Sequence, residues 1–150
     1  MQRDIGMTPQ EQKDLLLGVV TKLATKRLEE GGFIPFGATL GSKRDVKLLM
    51  PKSMKQNVTR DELEAYWIRE LRKATAEDAC KTACSCADVR VPVGEGELVP
   101  ALLIHVEHAE GSAEDILYPY RKDESSGIVL GEPTSAAIKH QIFVPAEDVP

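Results

Sequence analysis

The sequence predicts an α+β fold: a two-layer domain with a mostly antiparallel sheet of five to six strands and two amphipathic helices packed on one face. Three observations carry this. Two stretches open on a capping threonine, Thr8 and Thr59, and then place apolar residues at helical spacing. Short segments with alternating apolar residues lie between and after them, separated by glycine-containing turns that suit hairpins. The 150 residues, 42% hydrophobic and 29% charged, can build one ordinary globular core. A single domain over residues 1–150 follows, with flexible ends at 1–7 and 145–150.

The first helix starts at Thr8-Pro9-Gln10-Glu11. The threonine oxygen can accept an orphan backbone N–H, the glutamate can reach back to the threonine N–H, and proline suits the first helical position. Leu16, Val19, Val20 and Leu23 fall on one face, flanked by Leu15 and Leu28, and Gly31-Gly32 ends the helix. Phe33 to Leu40 reads as a strand with Ile34, Phe36, Ala38 and Leu40 on one side. Pro35 cannot donate to a ladder, so this strand is either an edge there or starts beyond it. Gly41 to Asp45 reads as a hairpin connection, Val46 to Met50 as the returning strand, and Lys52 to Val58 as a polar connection.

Thr59-Arg60-Asp61-Glu62 repeats the capping pattern. Leu63, Tyr66, Trp67, Leu71 and Ala74 then trace an apolar helical face interrupted by Glu70, ending between Ala76 and Lys81. The lone tryptophan, Trp67, is expected to anchor the core. Three strands follow: Cys86 to Val93, Ala101 to His108, and Asp115 to Tyr120. Turns at Gly94-Glu95-Gly96-Glu97 and Gly111-Ser112 join them. Ile128 to Leu130 and Ile138 to Val144 are shorter strand candidates.

Lys and Arg total 19 against 24 Asp and Glu, a net charge of −5, which disfavours a nucleic-acid binder needing a basic face. No apolar run approaches the roughly 18–20 residues that cross a bilayer, and the first residues lack the pattern of a signal peptide. Three clustered cysteines, Cys80, Cys84 and Cys86, are an odd set unlike a disulfide framework, so a cytoplasmic protein with reduced thiols is expected.

Two constellations invite chemistry. On a strand Cys84 and Cys86 share a face, and Cys80 with His105, His108 or His140 could complete a zinc set; the spacing is not that of known zinc motifs, so no metal and no cofactor are assigned. His105 and Glu107 also share a face, as Asp88 and Arg90 would on a neighbouring strand, a grouping able to do acid–base work or to form a salt-bridged sheet face. His108 points to the opposite side from His105. Glycine-rich phosphate loops and the Gly-x-Ser-x-Gly elbow are absent.

Gly32-Phe33-Ile34-Pro35-Phe36-Gly37-Ala38 and Tyr118-Pro119-Tyr120-Arg121 resemble a group of small uncharacterised bacterial proteins. In that group a Phe-x-Pro-Phe-Gly-Ala strand start and a later Pro-Tyr strand end recur. The resemblance implies similar architecture over most of the chain and an immunity or accessory partner role, with no catalytic residue carried over. The element order is also similar to roadblock, longin and profilin-like domains, although Ile138, Ile142 and Val144 stand at strand-like spacing where roadblock domains close with a helix.

The sequence therefore points to a small non-catalytic binding or regulatory protein acting through a protein interface. Tyr118, Tyr120 and Arg121 are its candidate binding residues, because Tyr and Arg are enriched at interface hot spots. The alternative is a small-ligand or metal-dependent enzyme using Cys84, Cys86, His105 and Glu107. A second sheet face carrying Leu103, His105, Glu107, Leu117 and Pro119 needs cover, from a second copy in a homodimer or from the chain's own segment 128–144.

Overall fold

In the computed structural model of the protein, which describes residues 6–51 and 59–144, the first helix begins where its cap demands. Thr8 Oγ1 accepts from the Glu11 N–H and the Glu11 carboxylate accepts from the Thr8 N–H, so helix α1 (Pro9–Glu29) starts with both halves of the capping box made. Strands β1 (Phe36–Leu40) and β2 (Val46–Leu49) form an antiparallel hairpin. Helix α2 (Arg60–Asp78) follows, with Thr59 accepting from the Glu62 N–H and left-handed Ala79 ending it. Then come β3 (Thr82–Val93), β4 (Glu97–His108), β5 (Ala113–Asp123), β6 (Gly127–Leu130) and β7 (Thr134–Ile138). The expected flexible tail at 145–150, most of the expected flexible start at 1–7, and the connection at 52–58 lie outside the described residues.

The sheet is antiparallel throughout, in the order β2-β1-β3-β4-β5-β6, with β7 also on β5. Both final strands use the same edge of β5: β7 pairs with Ala113 to Leu117, and β6 with Tyr120 to Asp123. The two-residue offset between them is spanned where the Gly131 N–H bonds the Pro119 carbonyl at 2.6 Å. Of the two readings of Pro35, the second holds. The strand starts beyond the proline, at Phe36, and is internal; β2 is the edge.

The α+β class and the antiparallel sheet stand as the sequence predicts, with α1 layered on the sheet. The placement of α2 does not: the two helices take opposite faces. Phe36, Ala38, Leu40, Cys84, Cys86, Leu102, Ile104 and Val106 meet Leu16, Val20 and Ala24 of α1. The intervening residues point the other way, and there Ala83 packs with Trp67 and Leu71 of α2. The reason is compositional. All five residues of β1 and the first three of β3 are buried, none is charged, and a strand without a solvent side needs cover on both faces.

A second correction concerns the last strand. Ile138 to Val144 was the expected segment, whereas β7 is Thr134–Ile138 and the chain then leaves the sheet. The backbone N–H groups that would continue a ladder bond a side chain instead. Among the described residues, no helix is long and apolar enough to cross a membrane.

Candidate functional site

Helix α2 lies over β1 and β3, leaving the β4 and β5 part of the same face only partly covered. A cleft forms along this step. Leu63, Trp67 and Ile68 supply its helix wall, and Ala87, Val89 and Leu103 its sheet floor. Its polar residues are Glu64, Ser85, His105, Asp115 and Gln141. The enclosed volume is about 80 Å³, room for a few non-hydrogen atoms and well below the ~300–1,000 Å³ of drug-sized sites. The outer rim runs into a shallow depression along α2 where Arg69 and Arg72 stand.

The hairpin between β4 and β5 aligns His105 with Asp115. His105 Nδ1 lies 2.8 Å from Asp115 Oδ1, and Nε2 lies 2.5 Å from Glu107 Oε2. Both contacts are hydrogen bonds only when both ring nitrogens carry protons. Burial by itself lowers the pKa of His105, but the hydrogen bonds to Glu107 and Asp115 override it and the net shift is upward. Glu107 behaves as the complement. Burial pushes its carboxyl up, His105 and the N–H groups of Gln141 and Phe143 override that, and the carboxyl is held below its ordinary value. The ring thus lies between two acidic side chains, an arrangement that favours its protonated form.

Glu107 is fully buried and more than a partner to His105. Its carboxylate accepts from the backbone N–H groups of Gln141, Ile142 and Phe143 at 2.9–3.2 Å. One buried charge thus fixes the turn of chain after β7, and Ile142 is carried into the small core under Trp67. Arg72 Nε adds a bond to the Gln141 carbonyl at 2.6 Å.

Trp67 anchors the core as expected, 3% exposed and edge-on to Tyr66. Its benzo carbons Cζ3 and Cε3 lie against the place of Gly37, which puts Nε1 on the opposite edge of the ring. That N–H is the one buried side-chain polar atom among the described residues without a hydrogen-bond partner. Buried indole N–H groups nearly always find an acceptor, so this one stands out.

The structure separates what the sequence had grouped. Cys84 and Cys86 face α1, on the other side of the sheet from His105 and Glu107, so the four cannot share a site. Burial pushes the Cys84 thiol up to about 12 and, with Cys84 and Asp88 nearby, drives Cys86 well above its ordinary value. Cys80, Cys84 and Cys86 are free thiols, and no cluster of three or more possible metal-ligand side chains is found among the described residues. Asp88 and Arg90 also face α1, because the register sets Asp88 against Leu102 and Ser85 against His105. His108 lies opposite His105, as expected, and bonds Gln12 Oε1 at 3.0 Å. His140 Nε2 donates to the His108 carbonyl.

Tyr118, Tyr120 and Arg121 do not form one patch. The tyrosines are half-buried against the α1 core, and the Tyr120 hydroxyl donates to Asp88 at 2.7 Å. Arg121 is exposed on the other face and pairs with Asp123. Sequence reasoning passed over Asp115 as a site residue and missed the orphan donor on Trp67. A turn centred near residue 110 was the available signal for the first, since it sets 105 opposite 115.

No protein-family model, no curated protein and no solved structure matches this chain, so the cleft has to be read from its own chemistry.

Proposed function

We propose that the chain is a non-catalytic binding or regulatory domain, of the kind an immunity or accessory partner is, and that it recognises its ligand in the cleft between α2 and strands β3 to β5. The observation that carries this is the cleft itself, walled largely by the apolar side chains Leu63, Trp67, Ile68, Val89 and Leu103, with His105 and Asp115 among its few polar groups. Catalysis has less support. Both nitrogens of His105 are engaged, the Glu107 carboxylate is saturated by donors, and the Cys84 and Cys86 thiols are buried in their neutral form on the far side of the sheet.

Trp67 is the only tryptophan, so its emission reports the cleft directly. At least one fragment from a library spanning neutral, cationic and anionic heads is expected to change that emission saturably and raise the melting temperature. Leu103→Glu, on the open side of the cleft, is expected to abolish both responses with unchanged circular dichroism. A library that leaves both observables unmoved overturns the reading.

The homodimer belongs to this proposal. α2 and the segment held by Glu107 cover part of the second sheet face, and the strip of Val89, Leu103, Leu117 and Pro119 that remains is half-exposed. A second copy on that strip doubles the 16.5 kDa mass seen by light scattering at micromolar concentration; a mass of one chain, unchanged on concentration, removes the dimer.

A further inference from the structure

The two acids on His105 are unequal, and that decides where its proton goes. Glu107, on Nε2, is wholly out of solvent, and its carboxylate is fixed by the backbone N–H groups of Gln141, Ile142 and Phe143 at 2.9–3.2 Å. Asp115, on Nδ1, has a side chain 43% exposed, and His105 is its carboxylate's one hydrogen-bond partner among the described residues. The other elements around the ring bring one more charged group to the cleft, Glu64 of α2. β3 sets Ser85 opposite His105, and the Cys86 thiol packs towards α1. The chain after β7 supplies Gln141, while its His140 ring bonds the His108 carbonyl.

A doubly protonated ring satisfies both carboxylates; a neutral ring keeps one N–H and turns a lone pair on the other acid. If that lone pair faced Glu107, two acceptors would meet 2.5 Å apart in a buried place, and the carboxylate could leave only by breaking its bonds to the chain after β7. If it faces Asp115, that carboxylate turns into water, where it is solvated at little cost. We propose that His105 is a pH-operated latch at the rim of the cleft: protonated, it holds the Asp115 carboxylate; on losing the Nδ1 proton to solvent, it stays tied to Glu107 through Nε2–H and lets Asp115 go. Burial of the ring favours early release, but the hydrogen bonds to Glu107 and Asp115 override it, so release falls above the ordinary imidazole value of about 6.5. The Glu107 clasp on Gln141 to Phe143 is the same in both states. The change is confined to the rim, which loses a positive ring and gains a mobile carboxylate. The latch needs no ligand.

A pH titration of the full chain followed through the histidine ring-nitrogen NMR shifts tests this, because those shifts distinguish the charged ring from its two neutral tautomers. His105→Gln identifies the His105 signals among those of the three histidines. His105 is expected to titrate above about 6.5 and to emerge as the Nε2–H tautomer. Asp115→Asn removes the anion on Nδ1; it is expected to move the midpoint to lower pH and to leave the Nε2–H tautomer unchanged. A merely structural Asp115 would leave the midpoint where it is. Should that variant not fold, the tautomer on the unaltered protein decides alone. An Nδ1–H tautomer above the midpoint overturns the latch, because Asp115 would then be the acid that stays. A midpoint below 6.5, or one that Asp115→Asn does not move, overturns it as well. Each of these outcomes leaves the binding reading of the cleft standing, since that reading is tested by ligand-induced changes in Trp67 emission and melting temperature.

Discussion

Glu107→Gln is expected to destabilise the fold by about 3–5 kcal/mol, the cost of breaking a buried ion pair by removing one partner. The side chain is fully buried and its carboxylate gathers His105 with the N–H groups of Gln141, Ile142 and Phe143. An amide of the same size turns one acceptor into a donor that faces other donors. It also leaves His105 with a charge that only Asp115 answers. Against a total stability of roughly 5–15 kcal/mol for a domain, this is a large fraction. The urea midpoint measures it. Glu110→Gln is the control: Glu110 pairs with Lys81 on the exposed surface, and its loss is expected to leave the midpoint unchanged. Equal shifts for the two variants would show that the Glu107 cluster does not hold the chain after β7.

The same cluster sets a pH dependence whose sign follows from the two shifts. Glu107 is lowered in the folded state, so its contribution is present above the unfolded carboxyl value, about 4.3, and is lost as pH falls through the lower folded one. His105 is raised, so its contribution is present below the unfolded imidazole value, about 6.5, and is lost as pH rises through the higher folded one. The stability difference between the unaltered protein and Glu107→Gln is therefore expected to be widest between about pH 4.3 and 6.5 and to narrow on both sides. Urea titrations at several pH values check this. A difference that keeps growing into alkaline solution would contradict the charged state assigned to His105.

What was legible in the sequence was local. Both threonine caps, the turns that pair β3 with β4 and β4 with β5, and the effect of Pro35 on the start of β1 depend on residues within a few positions of one another. The opposite placement of the helices was also encoded, in the uncharged runs Phe36 to Leu40 and Thr82 to Cys86, which leave no side for solvent. Alternation counts find one apolar face and pass over a second face made of small residues such as Gly37, Ala83 and Ser85. The bond from Glu107 to the chain near Gln141 was not legible. It joins residues 34 positions apart through backbone N–H groups, which carry no side-chain signature. It also explains why apolar spacing at Ile138, Ile142 and Val144 misreported a strand: Ile142 is buried by the turn that Glu107 holds.

Gly37→Val is expected to lower stability by about 2 kcal/mol and to disturb the cleft together with the core. Gly37 lies mid-strand with an ordinary backbone angle, so its conformation places no demand for glycine. Substitution there should by itself help, by about 0.4–1 kcal/mol through the unfolded chain, with strand propensity adding up to about 1 kcal/mol for valine. Packing opposes this. A Cβ at Gly37 would sit 2.9 Å from Trp67 Cζ3, 3.0 Å from Cε3 and 3.2 Å from Leu71 Cδ2. These are a rigid indole and a buried leucine, with little freedom to move aside. Overpacking of up to about 3 kcal/mol, and more for the two further methyls of valine, exceeds the gains. On a chain of this length the melting temperature should fall by roughly 4–8 °C. The indole has to shift or tilt, so Trp67 emission should change in the folded protein. Gly18→Ala supplies the contrast: a Cβ there meets nothing within 4 Å on an exposed helix position, and about 1 kcal/mol of stabilisation is expected. If Gly37→Val stabilised the protein as Gly18→Ala should, Trp67 would not be seated on β1 and the cleft would lose its helix wall.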